Sequence, residues 1–199
     1  MIFPLFGKCN YLIINISDLR KTTPANRCIS TTQKRGFLSR VFAYASVIYY
    51  ICSVMTQQDE KWMREALREA LAAKDEGEIP IGAVVVWNGR IIGRGHNMTE
   101  RLHDATAHAE MIAVTSATQS MGGKYLADCT LYVTVEPCPM CAGALNWSQV
   151  GRIVYGAPDP RRGYTLFSPS LLHPKTNAEG GVLADDCSDL MLEFFKNKR

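Results

Sequence analysis

Apolar residues recur at helical spacing from residue 58 onward. Trp62, Met63, Ala66, Leu67, Ala70 and Leu71 share one face, which predicts an amphipathic helix over 58–75 with Gly77 as its stop signal. The period then changes. Residues 81–87 and 90–95 flank Asn88-Gly89, a pair suited to the positive φ angles of a two-residue hairpin turn. A second helix is predicted over about 108–120, with Thr106 placed to cap it. The β-branched run 131–135 reads as a strand, Pro137 opens a third helix near 139–149, and 152–155 (RIVY) is a further strand. Residues 157–181 form a long irregular segment broken by Pro158, Pro160, Pro169 and Pro174. A closing helix over 183–196 turns Leu183, Cys187, Leu190, Met191, Phe194 and Phe195 to its apolar side. This order of elements predicts an α/β fold, a mixed sheet with helices on its faces.

The 199 residues suffice for one domain with a real core. Residues 1–54 stand apart, with seven basic residues against the single acid Asp18; the remainder is net −3, so bulk charge does not announce a nucleic-acid partner. The uncharged run 41–55 is shorter than the roughly 20 apolar residues of a membrane-spanning helix. It lies too deep in the chain, and lacks the cleavage site, for a secretion signal. Residues 1–54 are therefore expected to be a spurious or dispensable extension, with a transit peptide or a tether as the other readings. Residues 55–199 are expected to form the working domain, with no membrane partner.

Seven cysteines are present, but only Cys138 and Cys141 have close metal-ligand spacing. They follow Pro137, and His108-Ala109-Glu110 lies upstream; each group sits where a loop or strand passes into a helix. Cysteines three apart bring both sulfurs to one side of a helical turn, and a helix N-terminus favours thiolate. Zinc suits one imidazole and two thiolates, with a fourth position left for water, and Glu110 is placed to carry protons there. The combination H-x-E…P-C-x-x-C is the pattern of zinc deaminases. A closed structural zinc site, with His96, His103 or His173 as fourth ligand, is the other reading of the same residues.

The strings EIPIGAVVV, GHN, HDATAHAE, LYVTVEPCPMCAGAL, GRIVYGA and GGVLADDCSDLMLEFF resemble bacterial tRNA-specific adenosine deaminases, within the cytidine deaminase-like superfamily, over roughly residues 57–199. The resemblance implies a three-layer α/β/α cytidine deaminase-like fold with a central mixed sheet of about five strands, a homodimer, and a cytoplasmic location. It implies hydrolytic deamination of the wobble adenosine in a tRNA anticodon loop. One zinc ion per subunit would be held by His108, Cys138 and Cys141, and Glu110 would be the proton shuttle. Asn97 and the Ala109 N–H match groups that contact the bound nucleoside, and Ile81 a pocket wall. Asp104 and Asp159 fall in loops that hold flanking nucleotides, and Phe194 and Lys196 lie on the helix that packs over the anticodon loop. Without the resemblance, Asn97, Asp104 and Asp159 read equally well as turn residues, and Phe194 as core.

The chain departs from that family before Gly180, where β-branched content is low, and the last strand is expected to be short or absent. Two rival functions follow. One is a deaminase of a free base or nucleoside (guanine, cytosine or cytidine), in which PCPMC also occurs. The other is an inactive zinc-containing RNA-binding subunit.

Overall fold

The computed structural model describes residues 57–198. The expectations for residues 1–54 lie outside the described residues. The chain divides between Met55 and Thr56 into two units, and the described residues belong to the second.

Helix α1 spans residues 57–75 and ends where Gly77, at φ 80°, turns the chain. There the Gly77 N–H donates to the Lys74 carbonyl and the Glu78 N–H to the Ala73 carbonyl, which satisfies the last turn and delivers Glu78 just before the sheet. Strands β1 (Gly82–Trp87) and β2 (Arg90–His96) form the predicted hairpin, with Asn88 and Gly89 both at positive φ. A short helix α2 (Thr99–Leu102) follows, then α3 (Ala109–Met121), β3 (Thr130–Val135), α4 (Pro139–Trp147) and β4 (Arg152–Ala157). Two 3-10 turns, Tyr164–Leu166 and Pro169–Leu171, interrupt the irregular segment before β5 (Asn177–Gly180) and α5 (Ala184–Asn197).

The five strands lie in the order β2-β1-β3-β4-β5. The β1 strand is antiparallel to both β2 and β3, whereas β3, β4 and β5 run parallel. Alternation along the strands divides the core in two. Ala83, Val85, Leu131, Val133 and Ile153 face Ala109, Ala113 and Ala117 of α3 and Ala142 and Leu145 of α4. Val84, Val86, Tyr132 and Val154 face Trp62, Met63 and Ala66 of α1 and Cys187 of α5. The result is a three-layer α/β/α sandwich around a mixed five-stranded sheet. Helix α3 lies so close to β2 that a Cβ on Gly95 would stand 2.5 Å from the Ala109 carbonyl oxygen, which fixes the start of α3 against the strand.

The register gathers one end of the sheet. Gly82, the first residue of β1, pairs with His96 at the end of β2, while Ala83 pairs with Val133 near the end of β3. The segment before β1 and those after β2, β3 and β4 therefore emerge along one edge, the C-terminal end of the parallel strands, where open α/β sheets bind ligands.

One sequence expectation holds in its milder form and two need adjustment. The last strand exists but is short, with all four residues exposed. Pro139, not Pro137, occupies the first turn of α4; the Pro137 carbonyl accepts the Tyr164 N–H instead. Thr106 does not cap α3. The N-cap is His108, and Thr106 turns back to donate its N–H and hydroxyl to Asp104 at 2.8 and 2.7 Å.

Candidate metal centre

His108 and Cys138 are the N-cap residues of α3 and α4, both with extended backbone, and Cys141 lies on the first turn of α4. No side chain caps either helix, so both N-termini aim orphan N–H groups and positive dipole ends at the same space. His108 Nδ1 lies 3.7 Å from Cys138 Sγ and 3.5 Å from Cys141 Sγ, and all three donor atoms fall within 4.8 Å of one another. A zinc ion bound at about 2.3 Å to sulfur and about 2.0 Å to nitrogen in tetrahedral geometry sets its S and N ligands about 3.6 Å apart. The donor set and its spacing fit zinc, and the two exclude a hard oxygen-seeking cation.

The electrostatics of the cluster are tightly joined. A hydrogen bond from Cys141, reinforced by His108, lowers the Cys138 thiol to about 4. Cys141, on the donating side, is held above its ordinary value by that bond and by burial. The hydrogen bond to Cys138 raises the His108 imidazole. Glu110 is only 4% exposed; burial raises its carboxyl above the usual range, the charge on Cys138 adds to the shift, and the carboxyl is hydrogen-bonded to the Cys141 side chain. A buried carboxyl, raised above its ordinary range, thus adjoins the three donors.

Asn97 and Ile81 are joined, the Asn97 N–H donating to the Ile81 carbonyl at 3.0 Å, and the Met98 N–H donates to Ala107 at 3.0 Å, beside His108. Ala109 is the buried first residue of α3. Asp104 and Asp159 lie in loops and serve as local acceptors: Asp104 for Thr106, whose two bonds hold its carboxyl below the usual range, and Asp159 for the Arg161 and Arg162 N–H groups. Phe194 is buried in the core with the Lys198 ammonium over its ring, so the aromatic face that α5 presents outward is Phe195, with Lys196 exposed beside it. Lys198 also reaches the Gly77 carbonyl at 3.2 Å, which ties the end of α5 to the turn before Glu78.

Three buried carboxylates, Asp59, Glu78 and Glu136, were not found from sequence, and the last two hold segments that carry candidate residues. Glu78 accepts from Asn97, Thr99 and Arg101, and Glu136 accepts from Asp159 and Thr165. Glu136 could have been noticed, because a charged residue closing the apolar run LYVTV is out of place on a buried strand. Glu78 carries no such local signal. His96, His103 and His173 are not part of the cluster of metal donors among the described residues.

A family model described as the cytidine and deoxycytidylate deaminase zinc-binding region matches residues 56–157. The chain is 43% identical over 147 residues to the tRNA-specific adenosine deaminase of Bacillus subtilis (strain 168), covering 71% of this chain and 91% of that protein. A solved structure from work on A-to-I editing by tRNA:A34 deaminases at the wobble position superposes with a TM-score of 0.61 at 37% identity, covering 65% of this chain and 98% of the other. A guanine deaminase from Nitrosomonas europaea also superposes with a TM-score of 0.61, at 25% identity, covering 68% of this chain and 83% of the other.

Proposed function

The chain belongs to the cytidine and deoxycytidylate deaminase zinc-binding family, and from that membership we infer that it hydrolyses adenosine to inosine at the wobble position of tRNA. The observation that carries the chemistry is the His108–Cys138–Cys141 triad, with imidazole-to-sulfur distances of 3.5 and 3.7 Å, beside the buried Glu110. The relatives support the substrate: among superposed structures of equal TM-score, identity is 37% to the tRNA:A34 deaminase and 25% to the Nitrosomonas europaea guanine deaminase.

His108, Cys138 and Cys141 hold the zinc ion. When bound, zinc supplies the Lewis acidity that makes water a nucleophile near neutral pH. Glu110 takes the proton from the attacking water and passes it to N1 of the purine as oxygen bonds to C6. It then delivers the second water proton to the exocyclic nitrogen, which leaves as ammonia while the C6 carbonyl forms. Burial raises the carboxyl toward the working pH, which suits a group that both accepts and returns a proton. Asn97, Ile81 and the Ala109 N–H hold the base, and the Asp104 and Asp159 loops with Phe195 and Lys196 form the rim for the anticodon loop. A loop nucleotide leaves its stack at low cost, which suits a reaction centre seated below such a rim.

The working unit in this reading is a homodimer. Trp147 on α4 is 85% exposed, with Met140 seven residues earlier on the same face, and Leu166 and Phe167 of the following 3-10 turn are also exposed. A second copy of the chain covers this apolar surface. No helix among the described residues is long and apolar enough to cross a membrane.

The test is turnover of an anticodon stem-loop, with inosine read directly, against free adenosine, guanine, cytosine and cytidine. Inosine formed only in the stem-loop supports the assignment, whereas turnover of a free base or nucleoside alone overturns it. Zinc retained without any turnover would instead mark a non-catalytic subunit.

A further inference from the structure

Glu78 is 1% exposed and lies outside the metal cluster, yet every hydrogen bond of its carboxylate reaches the segment that carries Asn97. Its Oε1 accepts the Arg101 N–H at 2.8 Å; its Oε2 accepts Asn97 Nδ2 at 2.9 Å and the Thr99 hydroxyl at 3.3 Å. Asn97 Nδ2 also donates to Thr99 Oγ1 at 3.0 Å. Both amide hydrogens of Asn97 are thereby committed, one to a carboxylate and one to a hydroxyl that itself points at that carboxylate.

The arrangement selects one of the two flips of the amide. A carboxylate offers acceptors only. Turning the amide over would set Asn97 Oδ1 against Glu78 Oε2, two acceptors at hydrogen-bond distance inside a buried site. The observed flip leaves Oδ1 without a protein donor among the described residues. No fully buried side-chain nitrogen or oxygen there lacks a partner, so this oxygen keeps some accessible surface although Asn97 as a whole is 3% exposed.

We propose that Glu78 is a positioning residue of the deaminase pocket: it fixes the Asn97 amide with both N–H groups turned inward and Oδ1 presented to a hydrogen-bond donor of the bound nucleoside. The proposal rests on the reading of the site as a tRNA adenosine deaminase. N1, N3 and N7 of adenine only accept hydrogen bonds, so the donor that meets Oδ1 is either the 6-amino group or the ribose 2′-hydroxyl. Glu78 therefore acts through Asn97 and touches no reacting atom.

The test uses the full-length, zinc-loaded protein. In the unmodified protein the Asn97 side-chain amide protons exchange slowly with solvent by NMR; fast exchange of both would overturn the proposal without any variant. Glu78→Gln frees the amide to flip. It is expected to release that protection and lower kcat/KM on the stem-loop about ten- to a hundredfold, with zinc content unchanged. Combined with Asn97→Ala it adds nothing to the loss from Asn97→Ala alone, whereas independent, multiplying losses would overturn the proposal. A reciprocal pair guards against a folding defect. Asn97→Asp sets two carboxylates together and loses activity, and adding Glu78→Gln restores part of it with donor and acceptor exchanged; a further loss would count against direct positioning. A 2′-deoxyadenosine at the wobble position separates the two donors: if it costs unmodified protein activity but costs Asn97→Ala nothing more, the hydroxyl is the partner, and if it is silent in both, the amino group is. An inactive unmodified protein would sink the tRNA reading instead, leaving amide exchange to judge Glu78.

Discussion

The Glu136 carboxylate holds the Asp159 backbone, its Oε2 accepting the Asp159 N–H at 3.1 Å. Its other oxygen takes the Thr165 N–H at 3.1 Å and hydroxyl at 2.6 Å, so the carboxylate two residues before Cys138 fastens the rim loop at both ends. Glu136→Ala strands two N–H groups and should destabilise the domain by about 2–4 kcal/mol while raising KM for the stem-loop more than it lowers kcat. Chemical denaturation and Michaelis kinetics check both, and an unchanged KM would show that the rim does not depend on this anchor. Gly163→Ala should act in the same direction, because its Cβ would stand 2.4 Å from the Glu136 carboxylate.

Glu110→Ala should keep zinc at the level of the unmodified protein yet slow deamination by about 10²- to 10⁴-fold, the usual worth of a positioned proton carrier. His108→Ala and Cys141→Ser should instead lose zinc. Metal analysis beside single-turnover kinetics separates the two classes; zinc loss from Glu110→Ala would make that residue a ligand rather than a shuttle.

Asp59 of α1 pairs with Arg152 of β4 through two 2.8 Å contacts and accepts the Tyr132 hydroxyl at 2.8 Å. Because Asp59 is 7% exposed, Asp59→Ala strands the Tyr132 phenol and leaves the Arg152 guanidinium to Glu179 alone, and should cost about 1–3 kcal/mol, read from denaturant midpoints. A loss under about 1 kcal/mol would mean that water reaches the pair.

Thiol labelling gives a pH-dependent expectation. Burial, with Asp186 adding, pushes the Cys187 thiol up to about 12, so at pH 8 only about one side chain in 10⁴ is thiolate, the reactive form. Its alkylation in the folded protein should stay slow until the pH approaches 12 or the domain unfolds. Site-resolved mass spectrometry reads this directly, and rapid labelling at pH 8 would contradict the packing of α5 on β4.

Trp147→Lys should convert the proposed dimer to a monomer in sedimentation velocity at micromolar concentration, and any fall in melting temperature should be only that of losing the partner, because the indole is 85% exposed within one chain. A monomer before substitution would remove the interface.

Much of this site can be read from local spacing. The three-residue interval between Cys138 and Cys141 and the pairing of two helix starts identify zinc donors, since both depend on short-range geometry that any helix supplies. The hairpin at Asn88-Gly89 is local for the same reason. Thr106 misleads because its hydroxyl chooses between two short-range partners, and Asp104, two residues away, takes it instead of the helix end. Phe194 and Phe195 are adjacent on one helix, and periodicity does not say which ring the sheet will cover.

Local sequence is enough to read the metal-donor trio and most of the order of elements, because each is written within a few residues; the short helix Thr99–Leu102 was not read. The partners of the buried acids come from the fold. Glu78 and Asn97 are 19 residues apart, and Glu136 and Thr165 are 29 apart. They meet because the register of β1 against β2 and β3 brings the start of one strand and the ends of its neighbours to a single edge. A buried carboxylate must find donors wherever the fold brings them, and that choice belongs to the sheet rather than to any local stretch of chain.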